Sequence, residues 1–143
     1  MRVCVFCSSS ECLAPRFYAL AADLGARLGR RGNHVIFGGG RVGMMGALAR
    51  AAVAAGGRVT GVYPEYFTAL KEPAIGEHVV TRDLAERKAY MSANADAFVV
   101  LPGGLGTLDE LFDTLAPKSL DRHRKPVVVV NPGWGDAVQA NKA

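Results

Sequence analysis

The residues best suited to chemistry stand in a glycine-rich loop, an acid that follows it, and a charged pair upstream. Residues 101–110 read LPGGLGTLDE. Gly103, Gly104 and Gly106 let the backbone approach a ligand closely and turn its N–H groups toward it. Thr107 is placed to start a helix, whose N-terminus attracts phosphate. No lysine closes the loop, so it is not a Walker A sequence, and positive charge must come from elsewhere. Arg87 and Lys88 are the candidates, in the first turns of a helix capped by Asp83. A cation there opposes the helix dipole, which suggests an anionic partner. A solvated Arg-Lys pair is the plainer reading. Glu110 also has two readings. Thr107-x-x-Glu110 has the spacing of a capping box, which needs no chemistry. A carboxylate beside a phosphate-sized pocket could instead handle a ribose. The residues alone leave both open.

A second loop, Gly38-Gly39-Gly40-Arg41-Val42-Gly43, matches G-x-G-x-x-G between a strand and a helix. Glu65 follows about twenty residues on, where a ribose-binding acid would sit in a nicotinamide-dependent dehydrogenase. Three successive glycines satisfy that pattern easily, and a tight strand-to-helix turn explains them equally well. Cys4 and Cys7 form a C-x-x-C inside an apolar run that reads as a strand. Side chains three apart on a strand point to opposite faces, so they read as core cysteines and not as a redox or zinc pair. His34, His78 and His123 are isolated, and no metal-ligand set is visible.

The elements that must position these loops alternate. Strands are expected at 2–7, 34–37, 58–63, 77–81, 96–101 and 126–130, with a strongly apolar character in the last two that suggests central strands. Helices are expected at 14–30, with Phe17, Leu20, Ala21, Leu24 and Leu28 on one face, and at 44–55, 83–93 and 107–115. Residues 65–76 read as a helical turn and a loop. Beyond Asn131 a turn leads into part of a last helix. This β-α alternation predicts an α/β fold, a Rossmann-like doubly wound parallel sheet in a single domain spanning 1–143. Ligands of such sheets bind outside the carboxyl ends of the strands, where both glycine loops fall.

The chain has 143 residues, 50% hydrophobic and 21% charged, enough for one substantial core and against global disorder. Its net charge of +4 suits anionic ligands. No long run of like charge points to nucleic acid, and residues 122–125 read as a solvated turn. No apolar stretch approaches a membrane span, and the first residues lack a signal-peptide pattern. Three cysteines supply no disulfide framework, so a cytoplasmic location is expected.

Four ordered motifs resemble one known family. Residues 102–110 match P-G-G-x-G-T-x-x-E, and Glu86-Arg87-Lys88 with Met91 match E-R-K-x-x-M. Gly38-Gly39-Gly40 through Gly43-Met44-Met45-Gly46 resembles G-G-G-x-x-G-L-M-G, and Cys7-Ser8-Ser9-Ser10 resembles C-G-S-S. The family is that of the LONELY GUY proteins, once labelled lysine decarboxylases, and the resemblance covers residues 2 to 131.

The resemblance implies a Rossmann-like dimer that hydrolyses the N-glycosidic bond of nucleoside 5′-monophosphates. The substrates it implies are cytokinin riboside monophosphates, with AMP as a further one, and the products are free base and ribose 5-phosphate. It implies Arg87 and Glu110 as catalytic residues, and neither a metal nor a cofactor. No pyridoxal phosphate lysine is implied. In that reading the backbone of Gly103, Gly104, Leu105, Gly106 and Thr107 cradles the phosphate, with Arg87 and Lys88 supplying charge. Ser8, Gly39, Gly40 and Met45 line the other side. A non-catalytic nucleotide or cofactor carrier of the same fold is the alternative, needing the loop but not the acid. The chain departs from the family where Thr114–Leu120 replaces a T-W-A-Q-L-like stretch, so that Pro117 is expected to end or kink its helix. Leu84-Ala85 stands where relatives often have Met-His. The chain is also expected to be short at its C-terminus, ending at Ala143 before the further helices of most relatives.

Overall fold

Apolar β-branched runs separated by amphipathic segments form a sheet only if helices cover both faces, and that is how this chain folds. The computed structural model describes residues 1–140. Six strands, β1 (Arg2–Phe6), β2 (His34–Phe37), β3 (Val59–Pro64), β4 (Glu77–Thr81), β5 (Ala97–Val100) and β6 (Val127–Val129), form one sheet. All are parallel, in the order β4-β3-β2-β1-β5-β6. The helices are α1 (Pro15–Arg30), α2 (Gly43–Ala54), α3 (Leu84–Asn94), α4 (Leu105–Ser119) and α5 (Trp134–Ala140), with a 3-10 helix at Glu65–Leu70.

The sheet is doubly wound, as expected. Val3, Val5 and Cys7 pack with residues of α1 and α2, whereas Cys4 and Phe6 pack with Met91 of α3 and Leu111 of α4. The two cysteines therefore lie on opposite faces, both buried. Burial is the main cause that pushes both thiols up, well out of the reactive range.

On α1 the line pressed deepest into the protein is Phe17, Ala21, Gly25 and Gly29, with Leu20, Leu24 and Leu28 packing partly buried beside it. A Cβ at Gly25 would stand 2.2 Å from the Leu48 carbonyl oxygen of α2, so the two helices approach closely there.

Three expectations need correction. Among the described residues β6 is an edge strand and not a central one, pairing only with β5, and Val128 and Val129 are exposed. Its apolar character mirrors the inner strands, but chain order sends it outward past β5. Pro117 does not end α4 early. It sits in the last turn, and the helix runs on to Ser119 because a missing N–H there removes only one bond. Finally, α4 starts at Leu105, two residues before Thr107.

Candidate active site

The parallel sheet brings every strand-to-helix turn to one edge, and a cleft of about 240 Å³ opens there. The end of β1 supplies its floor through Val5, Phe6, Cys7 and Ser8. Gly38 and Gly40 follow β2, while Val42 and Met45 belong to the entry of α2. Arg87 comes from α3, and Gly104, Gly106, Thr107 and Glu110 from the start of α4.

The early start of α4 changes the meaning of the acid. Gly104 is the N-cap, in extended conformation and with no side-chain cap. Thr107 lies inside the first turn, over Gly103, where a Cβ would stand 2.1 Å from its Oγ1. Thr107 and Glu110 are thus not a capping box. The first N–H groups of α4 keep no side-chain acceptor and belong to a segment that lines the cleft. By contrast α3 is capped as expected: Asp83 accepts from the Glu86 N–H at 2.8 Å.

Glu110 sits one turn further in, half-buried above the β1 floor. Its pKa is pushed up to about 7, chiefly by burial, and Asp109 and Asp113 push the same way. Arg87 and Lys88 oppose that rise without cancelling it. Its carboxylate takes no hydrogen bond or ion pair among the described residues.

Arg87 reaches across from α3. Its Nε donates to the Val62 carbonyl at 2.9 Å and its Nη2 to the Gly38 carbonyl at 3.2 Å. Two of the five N–H donors of a guanidinium are thereby spent on backbone, which fixes the plane and leaves the others for a ligand. The seat depends on Gly38. A Cβ there would lie 2.0 Å from Arg87 Nη2 and 2.9 Å from Met45 Sδ.

Of the residues singled out from sequence, Ser8, Gly40, Met45, Arg87, Gly104, Gly106, Thr107 and Glu110 line the cleft together. Gly39, Lys88, Gly103 and Leu105 do not. Gly39 takes a positive φ of 81° against the Tyr63 ring and shapes the turn. Lys88 bonds Asp109 at 3.0 Å and lies 3.8 Å from Asp113, tying α3 to α4. Leu105 points out, 78% exposed. Ser8 is buried, and its Oγ accepts from the Ser10 N–H. Glu65 is exposed and does not line the cleft.

The sequence reading missed Gly38, Val42, Phe67 and Leu70. Gly38 stood in the triple glycine and could have been chosen. Phe67 and Leu70 lie in a 3-10 turn, whose short length shows no period.

A helix start without a side-chain cap, a guanidinium held by backbone carbonyls and an acid with a raised pKa share this cleft, a combination that suits an anionic ligand. The comparisons with known proteins agree in kind. Residues 45–139 match a family model described as "Possible lysine decarboxylase". The chain is 45% identical over 135 residues to a cytokinin riboside 5′-monophosphate phosphoribohydrolase of Mycobacterium tuberculosis, covering 93% of this chain and 71% of that protein. It is 42% identical over 132 residues to one of Rhodococcoides fascians, covering 90% and 67%. Among solved structures, a molybdenum cofactor binding protein of Rippkaea orientalis superposes with a TM-score of 0.78 at 26% identity, covering 92% and 76%.

Proposed function

This chain belongs to the LONELY GUY family, and from that premise we propose that it hydrolyses the N-glycosidic bond of nucleoside 5′-monophosphates, with cytokinin riboside monophosphates and AMP as substrates. The observation that carries the reading is Glu110: an unpaired carboxyl group with a pKa pushed up to about 7, in one cleft with Arg87.

Breaking the bond between C1′ and the base develops an oxocarbenium-like ribosyl cation. The Glu110 carboxylate faces that charge and also suits the activation of a water that attacks C1′. Arg87, locked by Val62 and Gly38, offers its remaining donors to the phosphate or ribose hydroxyls. The start of α4 takes the 5′-phosphate. Holding that remote group orients C1′ against the acid, so binding energy serves the chemical step. The products are free base and ribose 5-phosphate. Lys88 acts by joining α3 to α4 and not by touching the ligand.

The same reading makes the protein a homodimer in the cytoplasm. Leu105 and Phe112, seven apart on α4, and Leu84 at the start of α3 are exposed apolar side chains that a second copy would cover. Three free thiols suit a reducing compartment. No described helix is long and apolar enough to cross a membrane. The ligand is a mononucleotide, and no nucleic-acid partner enters the reading.

The test is chromatography of AMP and isopentenyladenosine 5′-monophosphate after incubation with the protein. Free base from either supports hydrolysis. Intact nucleotide with measurable binding favours a carrier of the same fold, the reading that the likeness to the Rippkaea orientalis protein keeps in play.

A further inference from the structure

At the opposite edge of the sheet lies a second pocket, of about 200 Å³, which shares no lining residue with the cleft. Arg2, His34 and Glu77 open β1, β2 and β4, and Arg58 immediately precedes β3, so these side chains gather at the amino ends of the strands. Tyr90 and Asn94, from the second half of α3, close it, and Ile36 and Val79 give it an apolar wall. The volume is below the roughly 300 Å³ at which pockets for drug-sized ligands begin, so only a small ligand fits.

The polar groups form a chain whose protons can be assigned from its bonds. Arg58 donates to both Glu77 oxygens, from Nε to Oε1 and from Nη2 to Oε2 at 3.1 Å. These bonds hold the Glu77 carboxyl below its usual range, so it is ionised and can only accept. The buried Thr60 hydroxyl therefore spends its one proton on Glu77 Oε2, at 2.8 Å. Its oxygen then accepts from His34 Nε2, at 2.7 Å, which fixes the tautomer. Burial, reinforced by Arg58, pushes the His34 pKa down, so the ring is neutral near neutral pH.

The chain thus spends its acceptors internally and leaves donors. Arg58 gives two of its five N–H groups to Glu77. Arg2 gives one side-chain N–H to Asp96, at 3.3 Å, and Asp96 does not line the pocket. The Tyr90 hydroxyl takes no hydrogen bond among the described residues, although its oxygen is close enough for its charge to bear on Arg58. These unspent N–H and O–H groups outnumber the acceptors that remain, His34 Nδ1 and Asn94 Oδ1. The lining also sets two guanidinium groups against one carboxylate.

We propose that this pocket is a second ligand site and that it takes a small organic acid. The ligand's carboxylate meets the unspent N–H groups of Arg58 and Arg2 and the Tyr90 hydroxyl, and its apolar body lies on Ile36 and Val79. Glu77 fixes the Arg58 fork before the ligand arrives, which lowers the entropy cost of binding. Glu77 also selects for charge, because a dianion such as phosphate is repelled more strongly than a monocarboxylate. The inference does not depend on the hydrolase reading.

The probe is para-fluorobenzoate, followed by fluorine NMR, with para-fluorobenzamide as its uncharged counterpart. The expected result is saturable binding with a dissociation constant of about 1 mM or below. The amide should bind at least about tenfold more weakly. Tyr90→Phe, which removes only a hydroxyl, should weaken the benzoate about fivefold. Arg58→Ala should weaken it at least about tenfold, and the exposure of Arg58 and Glu77 lets the fold survive the change, which thermal melting verifies. Arg87→Ala, which alters the other cleft, should leave the affinity within about twofold. No saturation, equal binding of the amide, or an affinity untouched by both Tyr90→Phe and Arg58→Ala overturns the inference. So does a loss confined to Arg87→Ala, which would place the acid in the first cleft. Displacement of the probe by an equal concentration of inorganic phosphate would overturn the choice of an organic acid.

Discussion

Arg87 and Glu110 face one cleft from two helices yet do not pair. The guanidinium is held by the carbonyls of Val62 and Gly38, and the carboxylate has no partner among the described residues. A direct salt bridge would return Glu110 to the ordinary carboxylate range and occupy the donors of Arg87. Separation leaves both groups available to a substrate.

Gly38→Ala should disturb that separation without harming the fold. The added Cβ meets the end of the Arg87 side chain and the Met45 sulfur, not backbone. Displacing the guanidinium by about 1 Å should lower kcat by up to about a hundredfold. Steady-state kinetics beside thermal melting checks this; unchanged kcat would mean that the seat of Arg87 is immaterial.

The rate should follow the ionisation of Glu110. With its pKa near 7, the carboxylate form is lost about tenfold per pH unit below that point. A kcat/KM that rises with pH and levels above about 8 is expected. The substrate phosphate itself titrates near pH 6, so the profile is compared with nucleotide binding to Glu110→Gln. That variant should bind and turn over at least about a hundredfold more slowly. A falling profile would instead make Glu110 a proton donor to the leaving base.

Stability should carry the opposite sign. A carboxyl group whose pKa is higher folded than unfolded binds more protons when folded, so stability falls as pH rises between the two values. From the usual range to about 7 this amounts to about 3 kcal/mol. Denaturant titrations of wild type and Glu110→Gln should diverge between about pH 4.5 and 7, with the variant the more stable at the upper end. Parallel curves would show that Glu110 ionises as it does in water.

Arg50→Ala should cost about 2 kcal/mol, because it strands the buried Glu72 carboxylate. A double-mutant cycle with Glu72→Gln should return a coupling well above the additivity error of about 0.5 kcal/mol. Additive effects would show that the two side chains do not act as one anchor.

A particle of twice the chain mass is expected by light scattering at micromolar protein. Phe112→Glu, which puts charge on the exposed face of α4, should give the single-chain mass. A monomeric wild type would remove the dimer from the reading.

Much of the fold was legible because it is written in local periods. The run His34–Phe37, the stop at Gly32-Asn33, the Asp83 cap and the opposed faces of Cys4 and Cys7 follow from alternation, helical spacing and turn chemistry. The two glycine loops were expected on one sheet edge because parallel strands with crossover helices leave no other place for them.

What the sequence by itself determined was the α/β alternation, the loops and the identity of the charged groups. The tertiary structure decided their meaning. The Thr107 and Glu110 spacing was compatible with a cap, and only a helix that starts at Leu105 removes that role. Arg87 takes its seat on carbonyls 25 and 49 residues away in sequence. Phe67 meets the cleft through a 3-10 turn without period, and β6 lies at the edge although its residues resemble an inner strand. The physical reason is the same each time. Burial, desolvation and the sharing of donors depend on which elements the crossovers bring side by side, and no local pattern encodes that.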